Sequence, residues 1–272
     1  MKKNALRQIK FSKTVGAGND FIVIRQEDFA IERAEVPRLC DRKYGIGADG
    51  ILLIEPSDVA EFRMRIINAD GSEAEMCGNG IRCAAQWAFN QKLVDDVMQI
   101  ETLSGVLEVS LTQDGPKVRM PDPTDFSLNQ KIEIDGVSYT YHQVNTGVPH
   151  IVIFEKNVLE CDVHHVGHQL RNHERFKPKG TNVNFVQVIE HNRLRVRTYE
   201  RGVESETLAC GTGVTACALI SNIIHELASP IEVLTSGGEC IQIDFEMGSK
   251  NQFLKVYMTG PVTIVYEGVI EL

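Results

Sequence analysis

The chain repeats itself once. Ala74-Glu75-Met76-Cys77-Gly78-Asn79-Gly80 is echoed by Thr207-Leu208-Ala209-Cys210-Gly211-Thr212-Gly213, each a cysteine followed by Gly-x-Gly and an apolar stretch. The two cysteines lie 133 residues apart (210 − 77) in a chain of 272. Flanking segments repeat in the same order. Val15-Gly16-Ala17-Gly18-Asn19-Asp20-Phe21-Ile22-Val23-Ile24 parallels Asn145-Thr146-Gly147-Val148-Pro149-His150-Ile151-Val152-Ile153, with an offset of 129 between Gly18 and Gly147. Ile51-Leu52-Leu53-Ile54-Glu55 parallels Val186-Gln187-Val188-Ile189-Glu190 at an offset of 135. The period is too long for a solenoid. Three anchors in one order at nearly one offset imply an internal duplication: two similar domains, expected to face each other across a cleft. Each half is long enough to bury its own core.

Short apolar runs bounded by turn signals dominate both halves. Arg63-Met64-Arg65-Ile66 and Arg193-Leu194-Arg195-Val196-Arg197 alternate in the manner of half-buried antiparallel strands. Asp-Gly pairs at Asp49-Gly50, Asp70-Gly71, Asp114-Gly115 and Asp135-Gly136 punctuate them. Two segments read clearly as helices, Asn79 to Asn90 and Thr212 to His225, and both are apolar nearly all round, so both are expected to be buried. The fold class is therefore α+β: in each domain a strongly curved sheet wrapped round one apolar helix, with Met120-Pro121-Asp122-Pro123 as the linker. Gly45-Ile46-Gly47-Ala48-Asp49-Gly50 has glycines at a dinucleotide-like spacing, but no helical pattern follows, and it reads as a turn before a strand.

The formal charge of −9 argues against a nucleic-acid partner, which needs a basic footprint. No run of apolar residues is long enough for a membrane span. Seven cysteines without a secretory pattern suit reduced thiols in a cytoplasmic protein. The partners expected are a small amino-acid substrate and neither nucleic acid nor membrane; a homodimer is one assembly open to such a chain.

The chemistry concentrates at the two helix starts. A helix N-terminus presents unpaired N–H groups and a partial positive charge. A thiol there is acidified, and a carboxylate is held. The glycines beside each cysteine allow a substrate close to the backbone. Two such starts at one cleft would hold an α-carboxylate with a sulfur on each face of the α-carbon. Donors aimed at the carboxylate would stabilise the charge that α-proton removal creates. Pyridoxal phosphate normally supplies that sink, and no lysine motif for it is present, so neither a cofactor nor a metal is expected. His150 and Glu200 stand beside these elements as groups able to set thiol protonation or bind an ammonium group, and Arg201 could fork onto a carboxylate. Asn68, Asn79 and Asn182 suit recognition of a zwitterion.

Along nearly its whole length the chain resembles the diaminopimelate epimerases. The resemblance is carried by Gly18-Asn19-Asp20-Phe21, the run from Cys40 to Gly50, Asn68-Ala69-Asp70-Gly71-Ser72-Glu73 and Cys77-Gly78-Asn79-Gly80-Ile81-Arg82-Cys83. In the second half it is carried by Gly147-Val148-Pro149-His150, Asn182-Val183-Asn184-Phe185, Glu200-Arg201-Gly202 and Ala209-Cys210-Gly211-Thr212-Gly213. The resemblance implies cofactor-independent interconversion of LL- and meso-2,6-diaminopimelate, on the route to lysine and peptidoglycan precursors. It implies Cys77 and Cys210 as the acid/base thiols, His150 and Glu200 as catalytic helpers, and Gly78, Asn79, Gly211 and Thr212 as the carboxylate cradle. It implies substrate contacts at Asn19, Asn68, Asn182, Glu200 and Arg201. Gly50 and Val148 stand where enterobacterial members carry a contacting glutamine and an asparagine, so their contribution is expected through the main chain. The implied fold is two similar domains, each an antiparallel barrel-like sheet round a central helix. The domains are 1–120 with about 263–272, and 121–262.

Other readings remain open to the residues alone: a racemase of proline or histidine on the same scaffold, a thiol redox protein, or a binding protein without activity. The redox reading favours a Cys-x-x-Cys pair, which the chain lacks. Cys40, Cys83, Cys161, Cys217 and Cys240 are expected to be structural. His164 and His165 are expected at the surface, Asp49 and Asp70 as turn formers, and Arg82 as a solvated or packing residue.

Overall fold

The computed structural model describes residues 7–27, 31–248 and 252–271. The first strands are β1 (Gln8–Gly16), β2 (Asn19–Arg25), β3 (Gly50–Glu55), β4 (Phe62–Asn68), β5 (Glu73–Ala74), β6 (Val97–Thr102), β7 (Gly105–Thr112) and β8 (Gly115–Arg119). They are followed by β9 (Thr124–Ile134), β10 (Val137–Asn145), β11 (Pro149–Phe154), β12 (Asn182–Glu190), β13 (Arg193–Glu200), β14 (Ser205–Thr207), β15 (Ile231–Leu234), β16 (Cys240–Met247), β17 (Phe253–Thr259) and β18 (Thr263–Glu271). The α-helices are α1 (Val36–Cys40), α2 (Gly78–Asn90), α3 (Val163–Arg171) and α4 (Gly211–His225). Two compact units result, Met1–Val118 with Val262–Leu272, and Arg119–Pro261.

In the first unit β1 pairs antiparallel with both β2 and β18, β3 with β4, and β6 with β7. Two pairings are parallel, β2 with β3 and β4 with β6. A parallel pair needs a crossover connection, and α1 and α2 lie in those two crossovers. α2 packs against β1, β2, β3, β4, β6 and β7, so the sheet wraps round it. The second unit repeats the plan. β11 pairs parallel with β12 across α3, and β13 pairs parallel with β15 across α4. α4 packs against β10, β11, β12, β13, β15, β16 and β17. The sheets are therefore mixed where strand alternation alone suggested antiparallel ones. Alternation reports which face is buried, not which strand lies alongside.

Both central helices are buried as their composition requires: Gly78 to Ala85 in α2, and Val214 to Ser221 in α4. α3 escaped the sequence reading. Its buried positions Val163, Gly167 and Leu170 do follow helical spacing, but three histidines interrupt a short segment. A Cβ on Gly167 would stand 2.5 Å from Tyr199 Cβ, so glycine lets the helix lie directly on β13.

Strand register corrects one anchor of the duplication. β2 to β3 pairs Phe21 with Gly50 and Val23 with Leu52, while β11 to β12 pairs His150 with Asn182 and Val152 with Asn184. Leu52 thus corresponds to Asn184, an offset of 132 (184 − 52), not 135. The apolar run Ile51-Leu52-Leu53-Ile54 has as its counterpart Val183-Asn184-Phe185-Val186, and the polar Asn184 hides the match.

Candidate functional site

Cys77 is the N-cap of α2, with extended φ and ψ of −142° and 117°, and its sulfur accepts from Gly80 N–H at 3.4 Å. A Cβ on Gly80 would fall 3.2 Å from Leu52 Cδ2 and 3.5 Å from Cys77 Cβ, so glycine keeps the first turn tight against β3. Two residues past the cysteine, Asn79 turns its amide into a network. Its Nδ2 donates to Asn19 Oδ1 at 2.6 Å and its Oδ1 accepts from Arg82 Nη2 at 3.0 Å. A guanidinium only donates and a carboxylate only accepts, so Arg82 fixes one end of this chain. Asp49 fixes the other, its Oδ2 taking Asn19 Nδ2 at 3.1 Å. Arg42 grips Asp49 Oδ1 at 2.8 Å and forks onto Asp20 at 2.7 and 2.8 Å. Lys13 completes the cluster on Asp20 at 2.6 Å and on the Gly47 carbonyl. Burial works to raise the Asp20 pKa, but Arg42 and Lys13 overcome it and hold the carboxyl well below the usual range.

Cys210 is the N-cap of α4, with φ and ψ of −121° and 110°, and is buried. Its sulfur lies 3.5 Å from Thr212 Oγ1. Thr212 occupies the position of Asn79, two past the cysteine, and also meets His150 Nε2 at 2.9 Å through the same hydroxyl. Its carbonyl accepts from Thr146 Oγ1 at 2.8 Å. His150 is fully buried, and its Nδ1 lies 3.2 Å from Asn184 Nδ2. Burial, with a smaller push from the Arg201 cation, lowers its pKa to about 3, so the ring is neutral.

Glu200 ends β13, and its pKa is raised by burial, which outweighs a 2.9 Å bond from Thr207. Asn182 is committed to the backbone, accepting from Arg201 N–H at 2.8 Å and donating to the Pro149 carbonyl at 3.1 Å. Arg201 reaches the Lys179 carbonyl at 3.2 Å. Asn68 ends β4 opposite Gly50 and donates to Ser72 Oγ at 3.0 Å. Gly50 has no room for a side chain, since a Cβ would meet the Ile67 carbonyl oxygen at 2.7 Å. Val148 lies in the loop before β11, its carbonyl accepting from Thr146 N–H at 3.3 Å. Gly78 and Gly211 open their helices, both buried. Asn19, Asn79, Gly78 and Cys77 are thus gathered at the start of α2; Thr212, Gly211, His150 and Cys210 are gathered at the start of α4.

Four residues do more than the sequence offered. Arg82 is the packing residue of its two readings, wholly buried, and bonds Asn79 and the Gly78 carbonyl, the latter at 3.2 Å. Asp49 stands in a bend before β3 and orients Asn19, whereas Asp70 forms the expected turn, on Ser72. Asn184 and Thr198 were missed, although a buried asparagine inside an apolar strand is itself a signal. Cys40, Cys161, Cys217 and Cys240 are poor nucleophiles: burial pushes Cys40 and Cys161 to about 11 and raises Cys217 and Cys240. His164 and His165 are exposed, and His165 pairs with Asp135 at 2.8 Å. Among the described residues no cluster of three metal-ligating side chains occurs, and no helix is long and apolar enough to cross a membrane.

Known proteins agree with this picture. The hydroxyproline epimerase of Agrobacterium vitis, solved with bound trans-4-hydroxy-L-proline, superposes with a TM-score of 0.73 at 13% identity over 100% of this chain and 94% of that one. A Bacillus anthracis protein of the PhzF phenazine biosynthesis family superposes with a TM-score of 0.77 at 14% identity, covering 97% and 99%. These likenesses concern the fold. In sequence, the diaminopimelate epimerase of Aquifex aeolicus (strain VF5) is 42% identical over 96% of this chain and 97% of its own length. That of Archaeoglobus fulgidus is 38% identical over 97% of each. The model of the family described as diaminopimelate epimerase matches residues 11–124 and 142–265, one stretch in each half. The chain belongs to the diaminopimelate epimerase family.

Proposed function

We propose that this protein interconverts LL- and meso-2,6-diaminopimelate by two-base catalysis, Cys77 and Cys210 serving as the acid/base thiols, in the supply of lysine and peptidoglycan precursors. The observation that carries the reading is the pair of cysteines at the N-caps of two duplicated, buried helices in a chain of this family. One thiolate takes the α-proton, and the other thiol gives a proton to the opposite face. The pair must therefore hold one proton between them at the start of each turnover. Gly78, Asn79, Gly211 and Thr212 form the carboxylate cradle, whose N–H groups favour the charge that grows in the transition state. No cofactor is invoked. Asn19, Asn68, Asn182, Glu200 and Arg201 contact the substrate, with Gly50 and Val148 contributing main-chain groups, and His150 and Glu200 assist the thiols. A cytoplasmic setting fits, because both thiols must stay reduced.

Incubation in D2O with LL-diaminopimelate tests the reading. Deuterium should enter at one α-carbon as the meso isomer appears. Turnover of proline or histidine with diaminopimelate untouched would replace this substrate by the racemase alternative. Oxidation of either thiol to a disulfide or sulfenic acid should inactivate the enzyme, and a reductant should restore it.

A further inference from the structure

The hydrogen bonds behind Cys210 have only one consistent direction. Thr198 Oγ1 donates to Asn184 Oδ1 at 2.9 Å, and Asn184 Nδ2 donates to the Ile151 carbonyl at 2.8 Å. A backbone carbonyl can only accept, so the Asn184 amide cannot be turned the other way. Its Nδ2 therefore also faces His150 Nδ1, at 3.2 Å, and that nitrogen must carry a lone pair. In a neutral imidazole the proton is then on Nε2, which donates to Thr212 Oγ1 at 2.9 Å. The Thr212 hydroxyl has one proton, and with a lone pair engaged by His150 that proton is free to point at Cys210 Sγ, 3.5 Å away.

The first unit shows that the fold does not need these groups. Register equates Thr198, Asn184 and His150 with Ile66, Leu52 and Phe21, since Asn184 pairs with Thr198 as Leu52 pairs with Ile66. All six are buried. The glycine three past each cysteine rests on the same place: a Cβ at Gly80 would meet Leu52 Cδ2 at 3.2 Å, and one at Gly213 would meet Asn184 Oδ1 at 2.6 Å. Burying hydroxyl, amide and imidazole is unfavourable unless each is bonded, so an apolar trio is the cheaper solution wherever packing alone is at stake. The polar trio stands only behind Cys210.

We propose that Asn184 and His150 are positioning residues that hold the Thr212 hydroxyl as a hydrogen-bond donor to the Cys210 sulfur, favouring its thiolate. The inference rests on the reading of Cys210 as an acid/base thiol. Every proton in the chain stays on its own atom; what is set is direction. Burial, with a smaller push from Arg201, keeps His150 neutral through the working range, and Cys217, lower on α4, keeps its proton because burial pushes it well up.

Reduced full-length protein carrying 13Cβ-cysteine and 15N-histidine provides the test. In the native chain the 15N shifts of His150 should show a bare Nδ1 and a protonated Nε2. Thr212→Val should raise the apparent pKa of Cys210 by about one unit, a tenfold loss of thiolate at fixed pH. Thr212→Ser should restore it. Asn184→Asp, which offers an acceptor to Nδ1, should move the ring proton there and raise the Cys210 pKa as well. Asn184→Leu should leave mixed tautomers and a smaller rise. A protonated Nδ1 in the native chain, or a Cys210 titration untouched by Thr212→Val, overturns the proposal. Full epimerisation by Cys210→Ala would instead remove the functional reading, while the titrations still decide the hydrogen-bond direction.

Discussion

The starts of α2 and α4 share a backbone and differ in what the second residue past the cysteine does. At α2 that residue is Asn79, whose amide is held by Asn19 and Arg82. At α4 it is Thr212, whose hydroxyl touches both Cys210 and His150. Behind the first lies an apolar trio, behind the second a polar one. A two-base reaction needs one thiolate and one thiol, and two identical environments would share the proton evenly. The difference between the copies is the means by which a duplicated fold can bias that sharing. At the same position one start carries an amide and the other a hydroxyl that meets its sulfur.

The largest effect expected comes from removing either sulfur. Cys77→Ala and Cys210→Ala should each lower kcat for diaminopimelate by at least about a thousandfold, the scale of a lost general acid or base, with the circular dichroism spectrum unchanged. Next in size is the exchange of one start for the other. His150→Phe/Asn184→Leu/Thr198→Ile gives the second unit the side chains of the first. Each replacement is larger than the residue it removes and the Ile151 carbonyl loses its Asn184 donor, so overpacking should lower stability by about 1–3 kcal/mol while the chain still folds, which circular dichroism checks. Its kcat should nevertheless fall by about a hundredfold. Native activity in that variant would mean that the two starts are equivalent and that the polar trio is ancestral residue.

Acid should separate the same two chains. Folded His150 takes a proton only near about 3, whereas an unfolded histidine does so near about 6.5. Above the unfolded value the group costs nothing. Below it the unfolded chain binds the proton first, so stability drains as pH falls from about 6.5 towards about 3, by up to about 1.4 kcal/mol per pH unit. At about pH 5 that amounts to about 2 kcal/mol. In denaturant titrations the stability difference between the native chain and the triple variant should be constant above about pH 6.5 and move in the variant's favour below it.

Much of this was legible in the chain itself. The duplication, the two apolar helices and the cysteines that cap them follow from spacing and composition, because a Gly-x-Gly turn into an apolar run has few other uses. Asn19, Asn79 and His150 could be singled out because each lies in a short motif. Their partners could not. Asn184 reaches His150 across a parallel strand pair, and alternation carries no information about which strands are neighbours. Asn184 also broke the apolar run that would have aligned the halves, so the residue that distinguishes the copies is the one that hid their register. Arg82 could be read as either solvated or packed, because a charge is normally exposed; its bonds to Asn79 and Gly78 go with its burial.

The smallest expected effect belongs to α2 and sharpens the difference most. Asp49→Ala removes an acceptor that holds Asn19, and through it weakens a tie on Asn79. Arg82 still holds the Asn79 oxygen, and Asp20 remains clamped by Lys13 and Arg42, so the loss is one of precision rather than of structure. If the α2 start only fixes an amide for binding, KM for diaminopimelate should rise by roughly threefold to tenfold, a loss of about one hydrogen bond, while kcat and the titration of Cys77 stay near native. A fall in kcat together with a shifted Cys77 titration would show that the Asn79 arm tunes its sulfur as the Thr212 arm tunes Cys210. The two starts would then differ in chemistry of construction but not in task, and the bias between the thiols would have to come from the substrate.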